Sequence, residues 1–257
     1  MRMTACNKSP TMLFCIDSPP CYPNGGTTQG IPMLRKLAAL HAPACVMLVK
    51  QPGNALDPIG TAFLCHNKGY LLTSAHAINL TDKLLIVLAP PIDQFNPSTV
   101  SGAVQAHSVT VAQYDATNDV ALLKLADATV VVPPNIWGDE DKTPTGSSIG
   151  YLGFPYSHVG QHALKVSAGV ISAKVVSSAG TKQFQFDAMV EAGNSGGPLI
   201  DVATGQIIGI VSARFSPVGT SGGVMIGNHP LGTESTISYA STIGYGKQLM
   251  KSEGLNV

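Results

Sequence analysis

The sequence predicts an all-β protein of two six-stranded antiparallel Greek-key β-barrels, with a short N-terminal helix and a C-terminal helix. Three observations predict it. From residue 45 the chain runs as short apolar or alternating segments, "CVMLVK", "GTAFLCH", "YLLTS", "KLLIVLA", "HSVTVAQYD" and "VALLKLA", separated by turn residues with no helix between them. A stretch with three prolines and an acidic cluster, "VVVPPNIWGDEDKTPTG" (130–146), then interrupts the strands, which resume as "SSIGYLGF", "ALKVSAGVISAKVV", "KQFQFDAMV", "GPLID", "QIIGIVSAR" and "GVMIGN". The composition is 44% hydrophobic and only 12% charged, with 27 glycines and 18 prolines, which suits a compact, turn-rich protein and not a disordered one. A chain of 257 residues can bury a core as two small lobes or as one large β-domain. Two sets of about six strands with a connector favour two barrels; a single large sandwich is the alternative.

In chain order, residues 1–30 carry turn chemistry without periodicity, as in "SPPCYPNGGTTQG", and read as a loop-like extension. Residues 31–41 place Met33, Leu34, Leu37 and Leu40 at helical spacing. Barrel one is expected over about 42–130, with a hairpin turn at Asn67-Lys68-Gly69 in which Gly69 takes the left-handed position. The connector covers 131–145, its "DED" read as a solvated loop, and barrel two covers about 146–240. Residues 241–253 read as a helix despite Gly244 and Gly246.

Charge and cysteine use narrow the function classes. The formal net charge is zero, so no basic stripe is available to neutralise phosphates, and neither nucleic acid nor a membrane surface is an expected partner. The first 21 residues never gather an apolar run long enough for a signal peptide, and no run of about 18 apolar residues occurs anywhere. Cys6, Cys15, Cys21, Cys45 and Cys65 are odd in number and confined to the first quarter of the chain, which suits a reducing compartment. A cytoplasmic location is therefore expected. Cys6, Cys15 and Cys21 lack a C-x-x-C pair, so free thiols are preferred to a metal site, and no metal or cofactor is expected.

The stretch with chemistry in it is "EAGNSGGPLID" (191–201), where small residues surround Ser195. A serine hydroxyl is a poor nucleophile near neutral pH and needs a base, which in turn needs an orienting acid. Of seven histidines, most read as surface or loop residues. His76 differs, because in "GYLLTSAHAI" it follows an apolar strand that ends in small residues. Asp119 in "YDATNDVALLKL" stands directly before a buried-looking strand, where a carboxylate can be shielded from water; Asp115 competes but lies farther out in the loop.

These segments resemble the chymotrypsin-like (trypsin-fold) serine peptidases, most closely the protease domain of the HtrA/Deg branch. The resemblance is carried by "GTAFLCHNKGYLLTSAHAI" (60–78), "NDVALLKL" (118–125), "GSSIGYLGFP" (146–155), "SAGVISA" (167–173), "FDAMVEAGNSGGPLID" (186–201) and "GQIIGIVSA" (205–213), in the order His, Asp, Ser, over roughly residues 31–250. It implies two perpendicular barrels with the active site between them. It further implies His76 as general base and acid, Asp119 as its orienter and Ser195 as nucleophile, with the backbone N–H groups of Gly193 and Ser195 as oxyanion hole. Protein or peptide would be the substrate.

Departures from the family pattern are informative. Ala77 follows His76 where secreted digestive members usually have a bridged cysteine. Asn194 precedes the serine where those members carry an aspartate that pairs with a freed N-terminal amine; an amide cannot form that ion pair, so activation by N-terminal cleavage is not expected. The chain ends at Val257, one helix past the last strand, so the PDZ domain usual in HtrA-type proteins is not expected either. The substrate-binding pocket would have Met189 near its base and Ser212-Ala213-Arg214 as a wall that also pairs with substrate backbone. With no carboxylate at 189, a small or medium apolar P1 side chain is expected; Arg214 pointing into the cleft would instead favour an acidic one. Two alternatives to an active serine endopeptidase are a latent protease switched on by a partner or ligand, through loops 91–103 and 214–238, and a peptide-binding pseudoprotease.

Overall fold

A computed structural model describes residues 3–6, 13–14, 33–99, 102–126, 129–130, 132–133, 135–214, 225–226, 229–230 and 237–257. Strands β1 (Met3–Cys6) and β2 (Leu13–Phe14) precede helix α1 (Met33–His41). The first barrel consists of β3 (Cys45–Lys50), β4 (Ala55–His66), β5 (Tyr70–Thr73), β6 (Leu84–Leu88), β7 (Gly102–Asp115) and β8 (Val120–Leu125). Its strand order is β4-β3-β6-β7-β8-β5, closed by the pairing of β4 with β5. After β9 (Thr129–Val130) and the connector come β10 (Ser148–Gly153), β11 (Lys165–Val176), β12 (Lys182–Asp187), β13 (Pro198–Asp201) and β14 (Ile207–Arg214). Two short strands, β15 (Met225–Ile226) and β16 (His229–Pro230), precede β17 (Ile237–Thr242) and helix α2 (Ile243–Ser252). The second barrel closes in the order β10-β11-β12-β17-β14-β13. Both predicted barrels and both predicted helices are present.

The apolar runs read from the sequence are strands buried on two faces. In β8, Ala121, Leu123 and Leu125 point into barrel one with Val46, Leu48, Leu64 and Ile86. Val120 and Leu122 point the other way, into a cluster shared between the barrels that includes Phe63, Leu72, Leu152, Ile200, Ile210 and Met250. Alternation along a strand therefore sends successive residues into different cores, and neither face requires polar residues. Barrel two has its own core of Ile149, Tyr151, Ile171, Phe184, Phe186, Leu199 and Val211. The hairpin at 67–69 forms as expected, with Gly69 at φ +79°.

Two observations depart from the sequence reading. The extension 1–30 contributes β1, which pairs antiparallel with β4 and parallel with β7, and β2, which pairs parallel with β9. Strands this short show no periodicity, because their place is set by pairing partners far along the chain. His41 is buried, not a surface or loop residue; its Nε2 donates to the Gly205 carbonyl at 2.7 Å and ties α1 to barrel two. Gly246 has a packing reason to stand in a helix, since a Cβ there would lie 2.8 Å from Leu72 Cδ1. Cys15, Cys21 and the side chain of Cys6 lie outside the described residues, while Cys45 and Cys65 are buried free thiols whose pKa values burial pushes up. No helix among the described residues is long and apolar enough to cross a membrane.

Candidate active site

Strand β5 ends at Thr73, and a single 3₁₀ turn, Ala75–Ala77, carries His76 away from the barrel. Thr73, Ser74 and Ala75 are fully buried, so the small residues before the histidine form packed backbone beneath it. The backbone N–H of His76 donates to Asp119 Oδ1 at 2.8 Å, and its Nδ1 lies 2.9 and 2.8 Å from Oδ1 and Oδ2. An ionised carboxylate only accepts, so Nδ1 carries a proton, and in the neutral imidazole Nε2 is the acceptor. The imidazole is 49% exposed and the carboxylate 20%, so the base faces solvent while its partner is largely shielded.

Asp119 closes the turn between β7 and β8 with φ +57°, a left-handed conformation. The competing Asp115 holds that turn together, accepting from the backbone N–H and Nδ2 of Asn118. Burial alone would raise the Asp119 pKa, but hydrogen bonds from His76 and Ser212 and the nearby imidazole outweigh it, holding the carboxyl below the usual carboxylate range.

Ser195 sits in a turn with Gly193 at φ +100° and Gly196 at φ +88°. A Cβ on Gly193 would fall 2.1 Å from the Phe154 carbonyl, and one on Gly196 would fall 2.0 Å from the Thr61 carbonyl, so both positions demand glycine for handedness and for space. Thr61, on β4, grips this turn twice. Its N–H donates to the Ser195 carbonyl at 2.8 Å and its Oγ1 to the Gly193 carbonyl at 2.7 Å. The same Oγ1 accepts from Phe154 N–H. Tyr156 N–H adds a bond to the Ala192 carbonyl at 2.7 Å. The N–H groups of Asn194, Gly196 and Gly197 all reach backbone carbonyls, whereas those of Gly193 and Ser195 donate to no acceptor among the described residues.

Ser212 links the two halves of the site. Its Oγ donates to Asp119 Oδ2, and its carbonyl accepts from Ser195 Oγ at 2.7 Å. The serine hydroxyl is thus turned to the Ser212 carbonyl and away from a hydrogen bond with His76. Met189 is half-buried, with its carbonyl held by Tyr151 Oη at 2.8 Å. Ser238 Oγ donates to the Ala188 carbonyl and accepts from Val190 N–H. Ala213 and Arg214 pair with Tyr239 and Ser238 of β17; their side chains, and with them the direction of Arg214, lie outside the described residues. Most of loop 214–238 lies outside them too.

Sequence reasoning missed three contributors. Thr61 and Glu191 carry no assigned role in the sequence reading, and Ser212 enters it as a pocket wall that pairs with substrate backbone, not as a link to Asp119. A polar residue in a two-sided apolar strand, such as the threonine of "GTAFL", was the one signal that marked Thr61.

The family model for the trypsin-like peptidase domain matches residues 60–210. The chain is 34% identical over 163 residues to the serine protease Do-like HtrA of Lactobacillus helveticus, covering 61% of this chain and 35% of that one. It is 26% identical over 175 residues to the magnetosome formation protease MamE of Paramagnetospirillum magneticum, covering 66% of this chain and 22% of that one. The chain thus spans between about a fifth and about a third of the length of these two relatives. Among solved structures, the HtrA-type protease AlgW with a tripeptide superposes with a TM-score of 0.64 at 26% identity, covering 85% of this chain and 62% of that one. With its two closed barrels and its match over 60–210, the chain belongs to the trypsin-like peptidase domain family and has the chymotrypsin-like fold of an HtrA-type protease domain.

Proposed function

We propose that the chain is a serine endopeptidase in which Ser195 is the nucleophile, His76 the general base and acid, and Asp119 the orienter. The observation that carries this reading is the bridge through Ser212, which touches the Asp119 carboxylate of barrel one and the Ser195 hydroxyl of barrel two. In the reaction, a side-chain rotation turns Ser195 Oγ from the Ser212 carbonyl to His76 Nε2. Oγ bonds to the substrate carbonyl carbon as its proton passes to Nε2, and the carbonyl π electrons move onto oxygen. The resulting oxyanion takes the unspent N–H groups of Gly193 and Ser195, each worth on the order of 3–4 kcal/mol. His76 then returns the proton to the leaving amine as the C–N bond breaks. Water, deprotonated by the same imidazole, then attacks the acyl carbon, and the imidazolium gives that proton to Ser195 Oγ as the bond from Oγ to the acyl carbon breaks and the acid is released. Asp119 stays ionised throughout and stabilises the imidazolium.

The substrate would be an extended protein or peptide segment. Strand β13 covers β14 only as far as Ile210, which leaves the edge of Ser212–Arg214 open among the described residues for an added strand. The stretch Ala188–Val190 carries no charge, and this supports a small or medium apolar P1 residue, whose burial contributes about 1.5–3 kcal/mol. The resting bond from Ser195 to Ser212 favours one second reading, a latent enzyme that a ligand or partner switches on. A fluorophosphonate probe separates the readings. Labelling of the isolated protein at Ser195, lost in Ser195→Ala, is the expected result. Labelling that requires an added peptide or partner would establish latency, and no labelling at all would leave a peptide-binding pseudoprotease. A peptide library reads the pocket: apolar P1 is expected, and a dominant acidic P1 would overturn it in favour of Arg214.

A further inference from the structure

Asn194 is fully buried, yet its Oδ1 has no hydrogen-bond partner among the described residues. Its Nδ2 donates to Glu191 Oε2 at 3.0 Å, and its backbone N–H donates to the Glu191 carbonyl at 3.1 Å. The Glu191 carboxylate is 11% exposed and lies 3.2 Å from Lys165 Nζ. Lys165 opens β11, directly opposite Gly153 of β10. Gly153 is the floor on which Asn194 rests: a Cβ there would lie 2.6 Å from Oδ1 and 2.9 Å from the Asn194 Cα. Lysine, glutamate and asparagine thus form a line from the rim of barrel two to the residue preceding the nucleophile.

The polarity of this line is fixed. A carboxylate only accepts, so Glu191 requires a donor from residue 194. Turning the amide over would set Oδ1 against the Glu191 oxygens while freeing no better contact. The acceptor for the Asn194 amide lies within the same turn, at Glu191.

We propose that Glu191, backed by Lys165, is a positioning residue that sets the oxyanion turn by dictating the direction of the Asn194 side chain. This rests on the reading of Ser195 as nucleophile and Gly193 as oxyanion donor. Glu191 touches no reacting atom; it acts through Asn194, whose backbone lies between the two N–H donors. Two consequences distinguish it from ordinary packing. Asn194→Asp, nearly isosteric, places two carboxylates against each other and displaces the turn. Adding Glu191→Gln to it restores the hydrogen bond with its direction reversed, the introduced glutamine amide donating to the introduced carboxylate.

The test measures kcat and KM on a peptide substrate, affinity for a peptidyl boronate that forms a tetrahedral adduct, and the thermal midpoint, for E191Q, N194D and E191Q/N194D. E191Q, whose amide can donate as well as accept and no longer pairs with Lys165, stops dictating the direction of the Asn194 side chain and is expected to lose about tenfold in kcat with KM little changed, so an E191Q as active as wild type overturns the positioning role. N194D is expected to lose about 100-fold in kcat and a parallel amount of boronate affinity, with KM little changed and a lowered thermal midpoint. E191Q/N194D is expected to recover at least about tenfold of that kcat and most of the thermal midpoint. A double variant as impaired as N194D, or an N194D as active as wild type, overturns the positioning role, as does a loss that appears in KM alone. A wild-type chain that hydrolyses nothing and takes no fluorophosphonate instead overturns the endopeptidase reading, and the two failures are told apart by that measurement.

Discussion

At the scale of single residues, the proposed chemistry rests on side chains held in place by a few hydrogen bonds from distant strands. His76, Asp119 and Ser195 are open to sequence reading because each stands at a strand junction among small or apolar neighbours. Thr61 is not, because its work is done through three hydrogen bonds to residues more than 90 positions away. Thr61→Val keeps the shape and the backbone bond to Ser195 but strips the partner from the Gly193 carbonyl and from Phe154 N–H. Each group left buried and unpaired costs about 1–3 kcal/mol. The expected outcome is a lowered thermal midpoint together with a kcat reduced about 10- to 100-fold, read by scanning calorimetry and steady-state kinetics on the same preparation. A drop in stability with unchanged kcat would reduce Thr61 to a core residue. Ser212 was hidden for a different reason: its backbone and side chain serve two partners in two barrels, and sequence pattern assigns a residue only one direction.

At the scale of elements, the strands were legible because two-sided burial writes continuous apolar runs, and α1 because its apolar residues recur at helical spacing. What α1 docks against was not legible. His41, at its end, reaches the Gly205 carbonyl of barrel two from a site that is almost closed to water. Burial lowers its pKa, with the hydrogen bond to Gly205 opposing in part. The unfolded chain therefore takes up a proton near the ordinary histidine value of about 6.5, before the folded one does. Stability is full above that value and is lost as pH falls toward the lowered folded value. His66, His107 and His162 are lowered by burial as well and act with the same sign. His41→Gln, which retains a donor for Gly205, is expected to flatten the pH dependence of the denaturation midpoint across that window relative to wild type. An unchanged slope would mean that the helix contact does not titrate with folding. The N-terminal strands β1 and β2 lay beyond pattern altogether, since four and two residues carry no period.

At the scale of the whole molecule, the two barrels share a core, and the site straddles it. Neighbouring residues of β8 make this testable, because Leu122 belongs to the shared cluster and Leu123 to the interior of barrel one. Both are completely buried, so alanine at either is expected to cost about 2–5 kcal/mol. Only Leu122→Ala loosens the seating of barrel one, with Asp119 and His76, on barrel two, with Ser195 and Ser212. At a temperature where both variants remain folded, kcat is expected to fall further in Leu122→Ala than in Leu123→Ala. Equal kcat values would mean that the hydrogen bonds of Thr61 and Ser212 keep the halves aligned without the shared core. The left-handed backbone of Asp119 has a consequence for which residues that position accepts. Its φ of +57° admits glycine, asparagine and aspartate with ease and most other side chains only under strain. Of those three, aspartate alone carries a charge, so the fold itself narrows the alphabet to one acid before any chemistry is asked of it. Alanine there would test handedness and charge at once, whereas asparagine, equally at home in the turn, isolates the charge.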